Sequence, residues 1–340
     1  MKTNIKKILK WVIYYPLLTV VCFEIALLVL GYRRYQTEDY KVEVTPSYAY
    51  EANDSLGISL KEGNYSVTLN DSVHFKTTHT SKNQRLTPRT GKDTLADRTV
   101  AFLGCSFTYG YGVNNDETFV SALQSQHPNW SLQNYGVIGY GTVQSYIQLE
   151  EIIRKGETDA VILNFSSYHF MRNTLTQTYR KNLKIGYAHS AESVDKIMSQ
   201  AKFPFINSCD CVPQYADWKT MHSNWIGREY LASINWIQTL SEQYIDTQLD
   251  PLTLTSCLIQ KMHTRCQNAD IDFGVVCLDA TKETESLHDK LPKVPWTDVQ
   301  FDFESNSHTF LPYDSHPNAV GHQLIAKKIN PFLKELMRDE

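Results

Sequence analysis

From Thr99 onward the chain alternates short β-rich apolar runs with longer stretches of helical periodicity, and this restricts its fold more than any other feature. Thr99-Val100-Ala101-Phe102-Leu103 reads as a strand buried on both faces. Further strands are expected at Ser131–Tyr135, Ala160–Leu163 and Phe273–Leu278, with helices at Thr118–Ser125, Thr142–Lys155, Arg228–Gln243 and Leu252–Gln267. Strands separated by helices pair in parallel and need helical cover on both faces. The expected fold class is therefore α/β, a parallel sheet between helical layers. A last helix should begin near Asn318, a good N-cap after Pro317, and break at Pro331, which lacks an N–H to donate.

Ser106 follows the first of these strands in Leu103-Gly104-Cys105-Ser106-Phe107-Thr108-Tyr109-Gly110. Ligands bind open α/β sheets outside the carboxyl ends of strands, so a hydroxyl there is well placed for chemistry. Gly104, Gly110 and Gly112 permit a tight turn, and a helix is expected to start near Asp116-Glu117. Near the C-terminus, Asp314-Ser315-His316-Pro317-Asn318 supplies a carboxylate and an imidazole. A free hydroxyl is a weak nucleophile at neutral pH, and a serine, a base and an orienting acid together overcome this. The alternative is an ordinary βα loop that happens to carry a serine.

These stretches resemble the SGNH, or GDSL-like, hydrolases, whose blocks come in the order nucleophile, glycine, asparagine, Asp/His. Ser106 matches the nucleophile, and Asn134-Tyr135-Gly136-Val137-Ile138-Gly139-Tyr140-Gly141 matches the glycine block, with Gly139 as the oxyanion glycine. His316 matches the base and Asp314 its partner. The resemblance runs from about Thr99 to the C-terminus and implies a flavodoxin-like three-layer α/β/α sandwich.

The chain departs from that pattern in three places. Cys105 stands where the family has Asp, and Asp314 precedes His316 by two residues rather than three. After Ala160–Leu163 the sequence reads Asn164-Phe165-Ser166-Ser167-Tyr168-His169-Phe170-Met171-Arg172-Asn173, without the asparagine block. The oxyanion donors are then the N–H groups of Ser106 and Gly139, with Asn164, Ser166, Tyr168 or His169 as helpers and Arg172 available for an anionic substrate group. His169 also reads as a half-buried loop residue, and Cys105 as an alternative thiol nucleophile. His308, His316 and His322 beside Asp314 form no tight ligand pattern, so neither a metal nor a cofactor is expected.

Trp11 to Gly31 is predominantly apolar and long enough to cross a bilayer at roughly 1.5 Å per residue. Lys2, Lys6, Lys7 and Lys10 precede it, whereas Arg33 and Arg34 are soon followed by Glu38 and Asp39. This asymmetry places the N-terminus in the cytoplasm and the rest in the periplasm or outside the cell. A cleaved signal peptide is the competing reading, but no A-x-A-like site follows Leu30. Glu24 and Pro16 lie inside the span, and a buried acid there marks a helix partner or reaches the interface.

The expected organisation is a cytoplasmic tail and single transmembrane anchor in residues 1–35, a small membrane-proximal β segment in 36–95, and a hydrolase domain in 96–340 interrupted by an insertion at about 170–230. That insertion reads equally as a substrate lid or as a structural excursion. A hydrophobic content of 42% supports a sizeable core, and a net charge of -4 gives no field for nucleic acid. Export would permit disulfides from Cys209 or Cys211 to Cys257 or Cys266.

Taken with the resemblance, the reading is a membrane-anchored serine ester hydrolase acting on an acylated cell-envelope glycan or lipid. An O-acetyltransferase using the same site and a non-catalytic glycan-binding or assembly scaffold are the alternatives.

Overall fold

The structure, a computed structural model, describes Lys7 and residues 10–36, 40–89, 96–188 and 197–337. Lys2, Lys6, Glu38 and Asp39, which entered the charge asymmetry above, lie outside the described residues. The chain divides into two compact units, one made of residues 1–39 with 222–248 and the other of 40–221 with 249–340.

The second unit is built on a nine-stranded sheet. Its strands are β1 (Val42–Thr45), β4 (Gly63–Leu69), β5 (Val73–Thr80), β6 (Gln84–Arg85), β7 (Arg98–Leu103), β8 (Trp130–Asn134), β9 (Ala160–Phe165), β12 (Asp272–Cys277) and β13 (Trp296–Asp298). Three two-stranded sheets stand outside it: β2 (Tyr50–Asn53) with β3 (Gly57–Leu60), β10 (Lys202–Phe205) with β11 (Gln214–Asp217), and β14 (Thr309–Phe310) with β15 (Asp314–Pro317). Spatial order in the large sheet is β1-β4-β5-β6-β8-β7-β9-β12-β13. From β8 to β13 every pairing is parallel, and from β1 to β8 every pairing is antiparallel. The strands between Val42 and Arg85 thus extend the same sheet, joined to it where Arg85 faces Asn134.

Alternation along β7 explains the layers, since successive side chains point to opposite faces. Ala101 and Leu103 pack in one apolar cluster with Val143 and Leu149 of helix Thr142–Lys155 and Leu258 and Met262 of helix Pro251–Gln267. Val100 and Phe102 pack in another with Leu123 of helix Phe119–Gln126 and Ile325 and Ile329 of helix Ala319–Leu336. Both faces are dry because Val100 through Leu103 is apolar at every position. Burying such side chains contributes about 1.5–3 kcal/mol each, before the entropy cost of ordering them.

A third cluster joins the antiparallel strands to the part of the insertion that belongs to this unit. Val67, Leu69 and Phe75 share it with Tyr109, Tyr140, Tyr179, Phe203 and Trp218. Tyr179, Phe203 and Trp218 thus belong to the core of this unit. Cys209 is bonded to Cys257, while Cys211 and Cys266 are free and buried.

Strand ends differ from the sequence reading by one or two residues, and three helices differ in ways that have a physical reason. Asp116-Glu117 lie in a 3₁₀ turn, Asn115–Glu117, and the helix starts at Phe119, where the Thr118 side chain accepts from Ser121 N–H. The helix after Asn318 does start there, capped by that side chain, but it continues through Pro331 to Leu336. Pro331 faces solvent, where water can hydrate the carbonyl it frees, while buried Ile329 and Leu333 hold the helix on both sides. The helix expected from Arg228 starts at Ala232.

In the first unit, a π-helical turn at Lys10–Tyr14 leads into helix Tyr15–Val29. Lys10–Val29 is long and apolar enough to cross a membrane, the one such helix among the described residues. Phe23 and Tyr32 pack on Trp236 of helix Ala232–Asp246, with ring centroids 6.0 and 6.1 Å apart.

Candidate active site

Strand order within the parallel half is β8-β7-β9-β12-β13, which in chain order is 2-1-3-4-5. The chain reverses its direction of winding about β7, so the loops leaving β7 and β9 diverge and open a crevice at their carboxyl ends. Ser106 stands in that loop after β7 and opens a single helical turn, Ser106–Tyr109, ended by Gly110 in the left-handed region at φ 84°. A residue in the first turn of a helix has no intrahelical acceptor for its N–H, which leaves that of Ser106 available.

Several groups hold this turn in place. Arg85, buried at 1% exposure, donates through Nη1 to Tyr109 O (2.8 Å) and Gly110 O (2.5 Å), and through Nη2 to Val113 O (2.5 Å). Asn134 Nδ2 donates to Thr108 O at 2.8 Å. Gly136 lies so close that a Cβ there would fall 2.3 Å from Tyr109 N.

Asp314 and His316 reach the same place from the C-terminal hairpin. Both sit on β15, where residues two apart share a face, so the two-residue spacing brings their side chains together. His316 Nε2 lies 2.8 Å from Ser106 Oγ, and its Nδ1 lies 2.5 Å from Asp314 Oδ1, which also accepts from the His316 N–H at 2.7 Å. The other carboxylate oxygen, Oδ2, accepts from the Tyr40 hydroxyl at 2.5 Å. Tyr111 lies beside Tyr40. Asn318 pins the hairpin by donating to Ser307 O and Thr309 O.

Ser106 is 4% exposed, and the His316 ring lies between Phe107 and Tyr111, with centroids 5.2 and 5.1 Å away. Burial pushes the Asp314 carboxyl up, but the His316 ring and the hydrogen bonds from His316 and Tyr40 outweigh it and bring the pKa down to about 2. Burial, with the nearby Tyr111 and Asp314, raises the Tyr40 phenol, which stays protonated and able to donate. A hydroxyl, an imidazole and an ionised carboxylate in this sequence can pass a proton from Ser106 to His316 and stabilise the resulting imidazolium.

The remaining sequence candidates are arranged differently from one another. Gly139, at φ 77°, lies in the loop after β8, and its carbonyl accepts from the Tyr179 hydroxyl at 2.6 Å. Tyr168, 46% exposed, faces Phe107 with ring centroids 6.1 Å apart, at the rim of the crevice. Arg172 stacks over Tyr168 and Tyr179 and donates to Tyr140 O at 2.9 Å. Ser166 and His169 are fully buried. His169 meets Thr142 Oγ1 at 3.1 Å and the Phe165 ring, and burial, reinforced by the Arg172 charge, pushes its pKa well down so that the imidazole is neutral. Asn164 gives its amide N–H to Leu103 O. Cys105 is fully buried in the apolar cluster with Phe102 and Phe119. His322 is likewise buried, and its Nδ1 accepts from Phe119 N–H at 3.2 Å. Among the described residues no group of three or more His, Cys, Asp or Glu is placed to hold a metal ion.

Sequence reasoning missed Tyr40, Arg85 and Tyr111. Tyr40 sits 274 positions from the carboxylate it binds, in a stretch with no motif of its own.

No family model matches the chain, and no curated protein matches it. Solved structures do. A two-domain esterase active on acetylated mannans, co-crystallized with mannopentaose, is 15% identical with a TM-score of 0.39; the alignment covers 70% of this chain and 49% of that chain. The psychrotrophic esterase EstA from Pseudoalteromonas sp. is 13% identical with a TM-score of 0.38, covering 72% of this chain and all of the other. A member of the lipolytic protein G-D-S-L family from Veillonella parvula is 13% identical, with a TM-score of 0.37 and coverage of 68% and 95%.

Proposed function

We propose that the chain is a membrane-anchored serine ester hydrolase that removes an acyl group from a cell-envelope glycan or lipid outside the cytoplasm. The observation that carries this reading is the continuous line from Ser106 Oγ to His316 at 2.8 Å and from His316 to Asp314 at 2.5 Å. His316 takes the Ser106 proton as the hydroxyl attacks the ester carbonyl, and later returns it to the departing alcohol. Asp314 holds the imidazole tautomer that presents a free Nε2 to the hydroxyl. The Ser106 and Gly139 N–H groups receive the oxyanion, and Tyr168 with Arg172 contacts the acyl-bearing group at the rim. Water completes deacylation, and neither metal nor cofactor takes part.

Anchoring rests on the apolar helix Lys10–Val29, and the outside location on the lysine excess before it together with the Cys209–Cys257 disulfide, which an oxidising compartment preserves. Acyl transfer to a sugar hydroxyl is the second reading. It would use the same Ser106, His316 and Asp314, with a sugar hydroxyl in place of water as the acceptor of the acyl group.

The test is intact mass of the full chain in detergent after treatment with a fluorophosphonate probe. An adduct on the native protein and none on Ser106→Ala is the expected result. Failure to label a protein that melts cooperatively would remove the activated serine and leave a scaffold.

A further inference from the structure

In the first unit Glu24, Arg228, His222 and Glu242 are paired inward, while many large apolar side chains face outward. Glu24, the one acidic residue of the span, accepts from the backbone N–H groups of Ala232 and Ser233, which open helix Ala232–Asp246. A carboxylate inside an apolar span needs such a partner, and the N-terminus of a helix provides unpaired N–H groups and a favourable dipole. Arg228, 1% exposed, donates to Glu242 at 2.9 Å, and His222 meets the same carboxylate at 2.9 Å. From Tyr230 to Ser241 the sequence holds no charged side chain.

The unit exposes large apolar and aromatic side chains, Trp225, Ile226, Tyr230, Leu240, Tyr244 and Ile245, with Asn224, Glu229 and Gln243 among them. Ile226 is 99% exposed and Tyr230 78%. A surface facing water carries its charges outside, whereas one facing lipid keeps them paired within and places Trp and Tyr at the headgroup level. Glu24 lies five residues before the last residue of helix Tyr15–Val29, about 8 Å along the helix axis at roughly 1.5 Å per residue. The start of helix Ala232–Asp246 is therefore carried below the end of the span, next to a helix that is itself exposed on nearly all sides.

We propose that residues 222–248 are a second membrane-embedded element, inserted at the headgroup–acyl boundary beside the span, with phospholipid covering their exposed apolar face. This rests on the reading that Lys10–Val29 crosses the bilayer. It makes the anchor a two-part structure assembled from segments about two hundred residues apart in sequence, closed by the Glu24 contact.

The experiment uses the full chain in phosphatidylcholine vesicles, with Cys22→Ser to remove the exposed thiol. Single cysteines carrying an environment-sensitive fluorophore are placed at Ile226→Cys, Leu240→Cys and Tyr244→Cys, with Leu18→Cys in the span and Lys82→Cys in the other unit as references. Brominated lipid is expected to quench positions 226, 240 and 244 as it quenches position 18, with blue-shifted emission. Quenching only by aqueous iodide, as at position 82, would overturn the proposal, and so would protection from both quenchers, which would mean that a second copy of the chain covers the face. If position 18 is not quenched by lipid, the spanning helix itself is wrong and this inference falls with it.

Discussion

The Tyr40 hydroxyl donates to Oδ2 of Asp314 at 2.5 Å, while His316 takes Oδ1 of the same carboxylate. Asp314 is thereby fixed from both sides, and its orientation depends on a residue from the opposite end of the chain. Tyr40→Phe removes a hydrogen bond to a charged group, worth about 1.5–3 kcal/mol. If that cost is felt mainly in the transition state, kcat falls by roughly tenfold or more with little change in KM. Steady-state kinetics on an ester substrate check this, and an unchanged kcat would make the tyrosine purely structural.

Asp314→Asn should lower kcat by a factor on the order of 10⁴, the loss seen in proteases with an equivalent carboxylate, because the amide favours the wrong imidazole tautomer. It should also alter acid stability. The folded pKa of Asp314 is about 2 against an ordinary 3.8, so its contribution is full above pH 3.8 and is lost as pH falls toward 2. That shift corresponds to roughly 2 kcal/mol. Denaturant melts of the wild type and the Asn variant between pH 5 and 2 should therefore converge at the acid end.

Arg85→Leu removes the guanidinium donors from the carbonyls of Tyr109, Gly110 and Val113 in a dry interior. Gly110 O keeps the Val113 N–H and Tyr109 O the Asn134 amide, so Val113 O is the group left unsatisfied; such a group costs about 1–3 kcal/mol, and a loss of that order is expected in chemical denaturation. Hydrolysis should weaken as well, because these carbonyls belong to the loop that orients Ser106.

His322 is held neutral, its pKa pushed down to about 3 by burial and by the neighbouring Arg85 and His316 charges. His79 is pushed down to about 4, chiefly by burial. In the unfolded chain both titrate near 6.5, so that state binds more protons as pH drops below 6.5 and the native state loses stability. Replacing His322 with Gln should flatten the fall in melting temperature between pH 6.5 and 4, and an unchanged slope would exclude His322 as its source.

What the sequence disclosed depended on locality. β7 was legible because Val100 and Phe102 serve one face and Ala101 and Leu103 the other, so apolar residues run without a break. Ser106 was marked by the glycines around it, and Asp314 and His316 by their proximity to each other. Nothing local marks Tyr40, whose partner is remote, or Arg85, whose basic side chain in a short β run reads as a surface residue. The extension of the sheet hangs on one facing pair, Arg85 and Asn134, too little pattern to register. Pro331 misled because propensity weighs a residue without its packing, and Ile329 and Leu333 outweigh it. The backbone N–H groups at the Ala232 start meet a carboxylate of helix Tyr15–Val29, beyond the reach of any local capping rule.

The bond between Cys209 and Cys257 joins residues 48 apart, and everything from Asp210 to Ser256 hangs as one closed ring from the rest of the chain. A protease that cuts once inside the ring releases nothing, since each new end remains covalently attached through the bridge. Such a nicked molecule would run as intact on a denaturing gel without reductant and fall into two fragments with it. A first cut in this stretch therefore passes without any loss of chain, and only a second one frees a peptide.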